Sequence, residues 1–340
     1  MKKTLLTICL VWMCFSLSAQ KIIDLSGKWS FSIDRQDNGE KEKWFSHTLN
    51  DFINLPGSMP EKLKGDEVTA KTQWTGSLYD SSYYYNPYME KYRKEGNIKF
   101  PFFLTPDKHY VGAAWYQKEV NIPADWKGER ILLFLERPHI ETTVWVNGQK
   151  TGMQNSLCVP HQYDITRYVR PGKCTITIRV DNRIKEINVG PDSHSITDQT
   201  QGNWNGIVGR ICLQTTPKTY FDDIQIYPEP EQKLARVKVV IKGAGITKIK
   251  LSAESFNTDK KHIVPAIQQE IKLNKGVTET EMVLPMGNDM LLWDEFHPAL
   301  YKLKAEVTNG KKTEIKEIQF GMRRFEIKGK WFYVNGRKTQ

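Results

Sequence analysis

Apolar and polar residues alternate strictly along several stretches of the chain. In CTITIRVDN, the apolar set is Cys174, Ile176, Ile178 and Val180, and the polar set is Thr175, Thr177, Arg179 and Asp181. In TKIKLSAES and YKLKAEV, the apolar sets are Ile249, Leu251 and Ala253, and Tyr301, Leu303, Ala305 and Val307. Because successive side chains of a β-strand point to opposite faces of the sheet, each stretch is predicted to be a strand with one buried face.

One stretch departs from this alternation. RILLFLE (130–136) has apolar residues at consecutive positions, which is typical of a central strand covered on both faces. No stretch carries a sustained helical stripe with capping residues at its ends. The pattern therefore predicts an all-β protein built from β-sandwiches.

A proline-rich break in the series of predicted strands indicates two domains. Three prolines interrupt residues 215–233, and a fresh series of strands follows them. We expect one domain at residues 21–216, which is long for a seven-stranded sandwich and carries a loop-rich insertion at 57–110. The second domain, residues 219–320, has the length and strand spacing of an immunoglobulin-like sandwich.

The last segment, residues 321–340, belongs to neither domain. Trp331–Val334 is predicted to be a strand, and Asn335-Gly336 is the dipeptide that a tight hairpin turn prefers, since both central residues need positive φ. Only Arg337–Gln340 remain for the returning strand. We expect the apolar side chains of this segment either to be disordered or to fold back on the second sandwich.

The first twenty residues are typical of a signal peptide. Lys2 and Lys3 form a basic start, an apolar stretch follows, and SLSAQ supplies small residues for cleavage near Ala19. The apolar stretch is short for a membrane span, although an uncleaved anchor is the alternative. No later run approaches spanning length, so we expect a soluble, exported mature chain, periplasmic or extracellular.

Cysteine usage and charge argue against two other classes of protein. Cys158, Cys174 and Cys212 remain after the leader, and they form neither a disulfide framework nor a metal-ligand spacing. One bridge and buried free thiols both stay open. The formal net charge of +10 comes from basic residues scattered along strands, which favours solubility over nucleic-acid binding.

A search for catalytic motifs finds none. The chain has no Gly-x-Ser-x-Gly elbow, no His-Glu-x-x-His pair, no phosphate-binding glycine loop and no Cys-x-x-Cys. Its acidic residues fall in no motif that would pair a general acid with a nucleophile. We therefore expect no catalytic residue, no metal site and no cofactor within these residues.

Two aromatic stretches have a structural and a functional interpretation. Residues 74–104 carry Tyr79, Tyr83, Tyr84, Tyr85, Tyr88 and Tyr92. Exposed rings suit the C–H faces of sugars, but the tyrosines could equally fix a long loop. In residues 109–123, Trp115 and Tyr116 open a strand, where large aromatics are usually part of the core.

The third aromatic stretch, residues 195–213, is rich in amides. It carries Asp198, Gln201, Asn203, Trp204 and Asn205 just before the strand GRICL. Convergent amides, one carboxylate and an indole can bind ligands rich in hydroxyl groups. A hydrogen-bonded loop with no ligand is the alternative.

Several segments, taken in order, resemble the front half of glycoside hydrolase family 2, the group of β-galactosidases, β-glucuronidases and β-mannosidases. The landmarks are LSGKWSFSID (25–34), NLPGSM (54–59), AAWYQKEVNIPADWKGERILLFLE (113–136), TTVWVNGQKTG (142–152), YDITRYVRPGKCTITIRVDN (163–182) and WNGIVGRICL (204–213). WDEFHPALYKLKAEV (293–307) is similar to the close of the family's immunoglobulin-like domain. FGMRRFEI and FYVNGRK are similar to the segment that leads into its (β/α)₈ barrel.

This resemblance implies a jelly-roll, galactose-binding-like sandwich followed by an immunoglobulin-like sandwich. Family members are retaining enzymes whose two carboxylates lie on the barrel, so both would lie beyond Gln340, and residues 321–340 would be a truncated lead-in to a missing catalytic barrel. The chain would then be the non-catalytic front portion of an exported, β-galactosidase-like hydrolase of O-glycosyl bonds in an oligo- or polysaccharide.

The resemblance also nominates residues for substrate contact. In family members a loop of the sugar-binding domain can reach the rim of the active site, and the segment before GIVGRI corresponds to such a loop. It implies that Asp198 and Trp204, and next Gln201 and Asn203, contact the sugar. At Val208–Ile211 the chain departs from the family's usual Arg-Asp or Arg-Pro.

Two other functions remain open from the sequence. Export and aromatic loops equally suit a free-standing carbohydrate-binding protein of the cell envelope. Sandwiches also serve as structural adhesion or scaffold modules.

Overall fold

The computed structural model describes residues 21–72, 81–99, 105–185 and 202–339. The chain divides into two compact units, Lys21–Thr216 and the part from Pro217 onward. The predicted leader, residues 1–20, lies outside the described residues.

Thirteen strands are described in the first unit. They are β1 (Ile22–Asp24), β2 (Gly27–Asp34), β3 (Asp51–Leu55), β4 (Gly57–Ser58), β5 (Asp66–Glu67), β6 (Lys108–His109), β7 (Ala113–Ile122), β8 (Arg130–Pro138), β9 (Glu141–Val146), β10 (Gln149–Asn155), β11 (His161–Asp164), β12 (Gly172–Asp181) and β13 (Gly206–Thr216). Eight strands are described in the second unit. They are β14 (Tyr220–Glu229), β15 (Leu234–Ser255), β16 (Ile263–Pro285), β17 (Tyr301–Asn309), β18 (Lys312–Phe320), β19 (Phe325–Lys328), β20 (Trp331–Val334) and β21 (Arg337–Thr339).

Helical structure in the described residues is confined to short segments between strands. They are α1 (Ser82–Tyr85) and the 3₁₀ segments Trp44–Ser46, Pro60–Lys62, Pro87–Arg93, Ala124–Trp126 and Pro230–Gln232. None of the helices described is long and apolar enough to cross a membrane. The all-β class predicted from the period-two pattern is therefore confirmed.

Two antiparallel sheets form the sandwich of the first unit. One sheet has the strand order β10-β9-β12-β7-β2-β3, and the other has the order β1-β13-β8-β11 with β4 paired to β13. The short strands β5 and β6 form a separate ribbon. The inner faces pack together through side chains that are all but fully buried, among them Trp29, Phe31, Tyr116, Ile176, Ile178, Leu133, Leu135, Ile211 and Leu213.

The strand β8 is covered on both faces, as its apolar run predicted. Leu132 and Leu133 point to opposite faces of the sheet and are 5% and 0% exposed. Trp115 and Tyr116 near the start of β7 are adjacent residues that point to opposite faces, and both are fully buried. Their structural interpretation is confirmed.

The strand β12 departs from its predicted half-buried character. Ile176 and Ile178 enter the core as expected, but Thr177 and Arg179 on the opposite face are also buried. The segment between β2 and β3 covers this face, because its Phe45 stacks on Trp145 of β9 with ring centroids 5.2 Å apart. Period-two alternation reports side-chain polarity, and polar side chains can be buried when they find partners.

The second unit is built around two long strands. Strand β15 has 22 residues, and its register with β16 shifts between Gly243 and Gly245. Before this shift β15 pairs with β14, and after it β15 pairs with β17, while β18 continues the sheet. Both halves contribute to one core, so the sheet folds over on itself.

The alternation predicted for the second unit is confirmed. Ile249 and Leu251 of β15 are fully buried, as are Leu303, Ala305 and Val307 of β17. Each buried aliphatic side chain of this kind contributes about 1.5–3 kcal/mol relative to exposure.

The last strands form a three-stranded antiparallel sheet in the order β19-β20-β21. Asn335 and Gly336 have φ values of +51° and +80°, as the predicted tight turn requires. Asn335 donates from Nδ2 to the carbonyl of Trp293 at 2.9 Å. The sequence left open whether this segment is disordered or folds back on the second sandwich. The structure shows that it folds back on the second unit.

The cysteines that follow residue 20 are all free thiols. Cys158 is exposed, whereas Cys174 and Cys212 are buried. Burial raises the pKa of the Cys174 thiol to about 11, so the group stays protonated and acts as a small apolar core residue.

Candidate functional site

Three buried asparagines lie where β12 ends and β13 begins. Asn182 directly follows β12, and Asn203 and Asn205 precede β13. Because β12 and β13 belong to the two different sheets, this region ties the sheets together at one end of the sandwich.

Asn182 and Asn203 form a reciprocal pair, which we call the asparagine clasp. Asn182 Nδ2 donates to Asn203 Oδ1 at 3.0 Å, and Asn203 Nδ2 donates to the Asn182 carbonyl at 3.0 Å. Asn182 also accepts from the Gly112 amide and donates to the Tyr110 carbonyl. The clasp joins two points that are 21 residues apart and so fixes both ends of the intervening segment.

Asn205 is also held in place by hydrogen bonds from both polar atoms of its side chain. Its Oδ1 accepts from the Tyr116 hydroxyl at 2.8 Å, and its Nδ2 donates to the carbonyls of Gly112 and Val180, both at 2.9 Å. The backbone carbonyl of Asn205 accepts from the Met59 amide at 2.7 Å. Every polar atom of this side chain has a partner, which is the condition for burying an amide without a large cost.

Trp204 lies between the two fixed asparagines and is half-buried. Its indole stacks on the imidazole of His139, with ring centroids 4.5 Å apart and an interplanar angle of 18°. Burial lowers the pKa of His139 to about 4, although a hydrogen bond with the Asn203 side chain opposes this shift. The imidazole is therefore neutral near pH 7 and supports the indole as a flat apolar partner.

Asp181, the last residue of β12, is fully buried among three cations. Its carboxylate lies 2.6 Å from Arg183, 3.0 Å from Lys185 and 3.1 Å from Arg179. Burial alone would raise the pKa of Asp181, but hydrogen bonds from Arg183 and Lys185 and the charge of Arg179 outweigh it and hold the pKa well below its usual range.

Two further carboxylates complete this group, which we call the ionic cluster. Asp37 lies 2.6 Å from both Arg179 and Arg183, and Glu141 lies 2.9 Å from Lys185. Buried ion pairs add little net stability, but breaking one leaves an uncompensated charge. The ionic cluster therefore fixes the conformation at the end of β12, next to the clasp.

The four residues that the sequence nominated for sugar contact differ in whether they are described and in how deeply they are buried. Asp198 and Gln201 lie outside the described residues. Asn203 is described, and its amide is directed inward to the clasp. Trp204, the other described member of the four, is half-buried, and its ring stacks on His139.

The tyrosine-rich stretch, residues 74–104, contains both a buried tyrosine that fixes the loop and exposed tyrosines. Tyr83 is fully buried, and its hydroxyl donates to the Tyr92 carbonyl at 3.0 Å, which fixes the loop. Tyr85 and Tyr88 are 72% and 83% exposed. Residues 74–80 and 100–104 of this stretch lie outside the described part of the chain.

No metal site accompanies this arrangement in the described residues. Among residues 21–72, 81–99, 105–185 and 202–339, no group of three or more His, Cys, Asp or Glu side chains could hold a metal ion. The site consists of fixed amides, a supported indole and a buried charge network.

Sequence reasoning missed His139 and Asn182. His139 falls between the strands β8 and β9, and no local motif marks it. Asn182 follows a strand whose last residue is also polar, and this Asp-Asn pair is the one signal that could have indicated a fixed strand end. The partnership between Asn182 and Asn203 depends on the fold.

Comparison with known families identifies the two units. The model described as glycosyl hydrolases family 2, sugar binding domain, matches residues 22–217, and the model described as glycosyl hydrolases family 2 matches residues 219–323. The chain belongs to glycoside hydrolase family 2, as the order of its landmarks indicated.

Curated relatives are similar at low identity over nearly the whole chain. A β-glucuronidase of Paenibacillus borealis is 24% identical over 94% of this chain and 48% of its own length. The human β-glucuronidase is 24% identical over 92% and 46%, and the β-galactosidase large subunit of Latilactobacillus sakei is 23% identical over 92% and 48%. The chain thus spans about half the length of the curated relatives it matches.

Solved structures share the fold. The crystal structure of Ruminococcus gnavus β-glucuronidase has a TM-score of 0.61 and 18% identity, covering 94% of this chain and 47% of that one. The same enzyme in complex with D-glucuronic acid also gives a TM-score of 0.61. At this identity the likeness extends to the fold alone.

Proposed function

We propose that this chain is the non-catalytic front portion of an exported family 2 enzyme that hydrolyses O-glycosyl bonds. The observation that carries the proposal is the pair of family 2 matches, in order, over residues 22–323. Relatives that are whole glycosidases align with the chain over about half their length. The two hydrolytic carboxylates are assigned to a barrel domain that follows residues 321–340, as the resemblance implies.

The substrate class we propose is a β-glycoside. Relatives named β-glucuronidase and relatives named β-galactosidase both match this chain at comparable identity. The β-galactosidase-like activity expected from the sequence and a β-glucuronidase activity are thus the two specificities to compare. Export is supported by the basic and apolar residues of the leader.

Trp204 is the residue to which we assign substrate contact first, with Asp198 and Gln201 next, whereas Asn203, nominated from the sequence, is buried in the clasp and positions its neighbour Trp204. The clasp and the stack on His139 fix the position of the Trp204 indole. A fixed aromatic face suits the apolar face of a pyranose ring and costs little conformational entropy on binding.

Hydrolysis by a protein that joins this chain to the barrel domain proposed above tests the proposal. This protein should be assayed on p-nitrophenyl β-D-glucuronide, β-D-galactoside and β-D-mannoside. We expect one of them to be hydrolysed, and Trp204→Ala to lower kcat/KM on it by about tenfold or more. Trp44→Ala, which truncates another half-buried indole on a different face, is the matched control. Hydrolysis of none of the three would contradict the proposal.

A further inference from the structure

Two tyrosines of the first unit present their rings to solvent. Tyr85 and Tyr88 lie three positions apart in the sequence, and both are largely exposed. Neither ring belongs to the apolar core of the first unit. Single exposed apolar residues are common on protein surfaces, but neighbouring large rings that forgo burial are typical of binding surfaces.

The segment that carries these rings is held by its own hydrogen bonds. The buried Tyr83 donates from its hydroxyl to the Tyr92 carbonyl at 3.0 Å, and the guanidinium of Arg93 donates to the Tyr83 carbonyl. These two bonds link residues that are nine and ten positions apart, so they close the segment into a compact loop. We call residues 81–99 the tyrosine segment.

The backbone beneath both exposed rings is fixed by Asn86. Tyr85 is the last residue of α1, and Tyr88 is the second residue of the 3₁₀ segment Pro87–Arg93. The Asn86 amide donates to the Ser82 carbonyl at 2.8 Å, and the Asn86 Oδ1 accepts from the Tyr88 amide at 3.0 Å. A ring whose backbone is held before binding loses less entropy when a ligand stacks on it.

The 3₁₀ segment places a cation on the same side as one of the rings. Tyr88 and Lys91 are three positions apart, and side chains with this spacing lie one above the other on a 3₁₀-helix. Both residues are exposed. The Lys91 Nζ lies 4.9 Å from the ring centroid of Tyr92, which keeps the ammonium group beside the aromatic surface.

The tyrosine segment also carries an excess of positive charge. It contains four Lys and Arg and two Glu. One of the two carboxylates, Glu90, is paired with Lys94 at 3.3 Å. Within the described residues Lys91 and Lys99 form no ion pair, so their charges are available to an anionic ligand.

The exposed side chains of the tyrosine segment favour a polysaccharide over a protein partner. Its exposed large apolar residues are all tyrosines. A tyrosine ring offers an apolar face to the C–H groups of a pyranose and a hydroxyl to the sugar's own hydroxyl groups. The available cations are lysines, which are depleted at protein interfaces but serve well as point charges for anionic groups.

We propose that the tyrosine segment binds an anionic polysaccharide. Pyranose rings stack on Tyr85 and Tyr88, and carboxylate or sulfate groups of the same polysaccharide pair with Lys91 and Lys99. The choice of a polysaccharide over other polyanions rests on the proposed function, because an exported glycosidase acts among such chains. Binding itself requires no hydrolysis, so it is measurable on this chain alone.

Isothermal titration calorimetry on the 340-residue chain tests this binding. Polygalacturonate and dextran sulfate are the probes, and they distinguish carboxylate from sulfate as the anionic group. Methyl-esterified polygalacturonate and dextran keep the rings without the charge, and polyglutamate keeps the charge without the rings. At about 0.15 M salt, which screens long-range attraction, we expect at least one probe to bind about tenfold more tightly than all three controls. Equal binding of polyglutamate would overturn the proposal.

Tyrosine substitutions test the stacking. Tyr85→Ala with Tyr88→Ala should raise Kd for the bound probe by about tenfold or more, because both ring faces are lost. Tyr85→Phe with Tyr88→Phe keeps the rings and should stay within about threefold of the unsubstituted chain. Tyr227→Ala removes an exposed tyrosine from β14 of the second unit and should leave Kd unchanged. An unchanged Kd in the double alanine variant would refute the assignment.

Lysine substitutions test the charge. Lys91→Ala with Lys99→Ala should raise Kd by about tenfold and abolish the preference for the charged probe over its neutral counterpart. Lys311→Ala, in the exposed turn between β17 and β18, removes a positive charge elsewhere and should change neither. A preference that survives in the double variant would show that these lysines do not read the anionic groups.

The outcomes distinguish this inference from the proposed function. If the protein joined to the barrel hydrolyses a β-glycoside but neither probe binds the tyrosine segment, this inference is wrong and the function stands. Binding that is lost in the tyrosine variant, without hydrolysis of any glycoside, supports this inference and contradicts the function. Equally tight binding of single-stranded poly(dT), or self-association of the chain that the tyrosine variant abolishes, would overturn the proposed occupant.

Discussion

At the scale of single residues, buried amides fix the end of the first sandwich at which the half-buried Trp204 lies. Asn205 uses both polar atoms of its side chain, and its partners come from the strands β7 and β12 and the turn before β7. Removing such a side chain leaves a buried hydroxyl and two buried carbonyls without partners, and each of them carries a desolvation cost.

Asn205→Ala should lower the free energy of unfolding by about 2–3 kcal/mol. Urea titration followed by circular dichroism measures the loss. Asn121→Ala, which removes an exposed amide from β7, should change stability by no more than about 0.5 kcal/mol. Equal effects of the two substitutions would show that the Asn205 network contributes nothing specific.

His139 should make stability depend on pH between about 6.5 and 4. Burial lowers its pKa to about 4 in the folded protein, so the unfolded chain binds this proton more tightly. Stability from this residue is complete above pH 6.5 and falls by about 3 kcal/mol as the pH drops to 4.

His139→Phe keeps an aromatic partner for Trp204 and should flatten this part of the stability profile. Urea titrations at several pH values measure the slope. His161, whose pKa burial also lowers, accounts for a remaining slope. An unchanged slope in His139→Phe would refute the assignment.

The sequence predicted which residues are apolar and buried better than it predicted polar partnerships. Ile249 and Leu303 face the core because a strand's alternation is a local property. The clasp joins Asn182 to Asn203 across 21 positions, and only the assembled fold brings them together. Trp204 was identified from composition, whereas its support by His139 was not.

At the scale of elements, the start of β13 depends on a close backbone approach. Gly206 has a φ of +145°, and a Cβ there would lie 2.5 Å from the carbonyl oxygen of Gly57 in β4. A backbone atom cannot move aside as a flexible side chain can, so any larger residue must separate β4 from β13.

Gly206→Ala should therefore destabilise the first unit by about 2 kcal/mol or more. Gly148→Ala provides the matched control, because Gly148 also has positive φ (+76°) but a Cβ added there would meet no atom within 4 Å. We expect the control to cost about 1 kcal/mol from backbone strain alone. Thermal unfolding of both variants distinguishes the contributions, and equal costs would rule out the contact with Gly57.

Strand β12 shows a burial that the alternation of apolar and polar residues could not predict. Its apolar residues were placed correctly, but Thr177 and Arg179 were expected on an open face. The residues that cover this face, including Asp37, belong to an irregular segment with no periodic signal. The outward-facing side chains at the paired ends of β15 and β17 are partly or fully exposed, so alternation predicted the burial of both faces of these strands correctly.

At the scale of the whole molecule, each unit has its own core. The core cluster of Lys21–Thr216 and that of the following unit share no residue. Residues 21–216 produced alone should therefore unfold in one cooperative thermal transition. Circular dichroism melting measures this, and a broad, non-cooperative loss of signal would mean that the first unit requires the second.

The central claim is that the two units are the non-catalytic front portion of a glycosidase whose hydrolytic carboxylates lie on a following barrel domain. The most direct test is turnover of p-nitrophenyl β-D-glucuronide and β-D-galactoside by purified residues 21–340. The account predicts no release of p-nitrophenol above buffer, because no acid and nucleophile pair is assigned to this chain. Turnover at about 1 s⁻¹ or faster, retained after immunodepletion of host glycosidases, would contradict it.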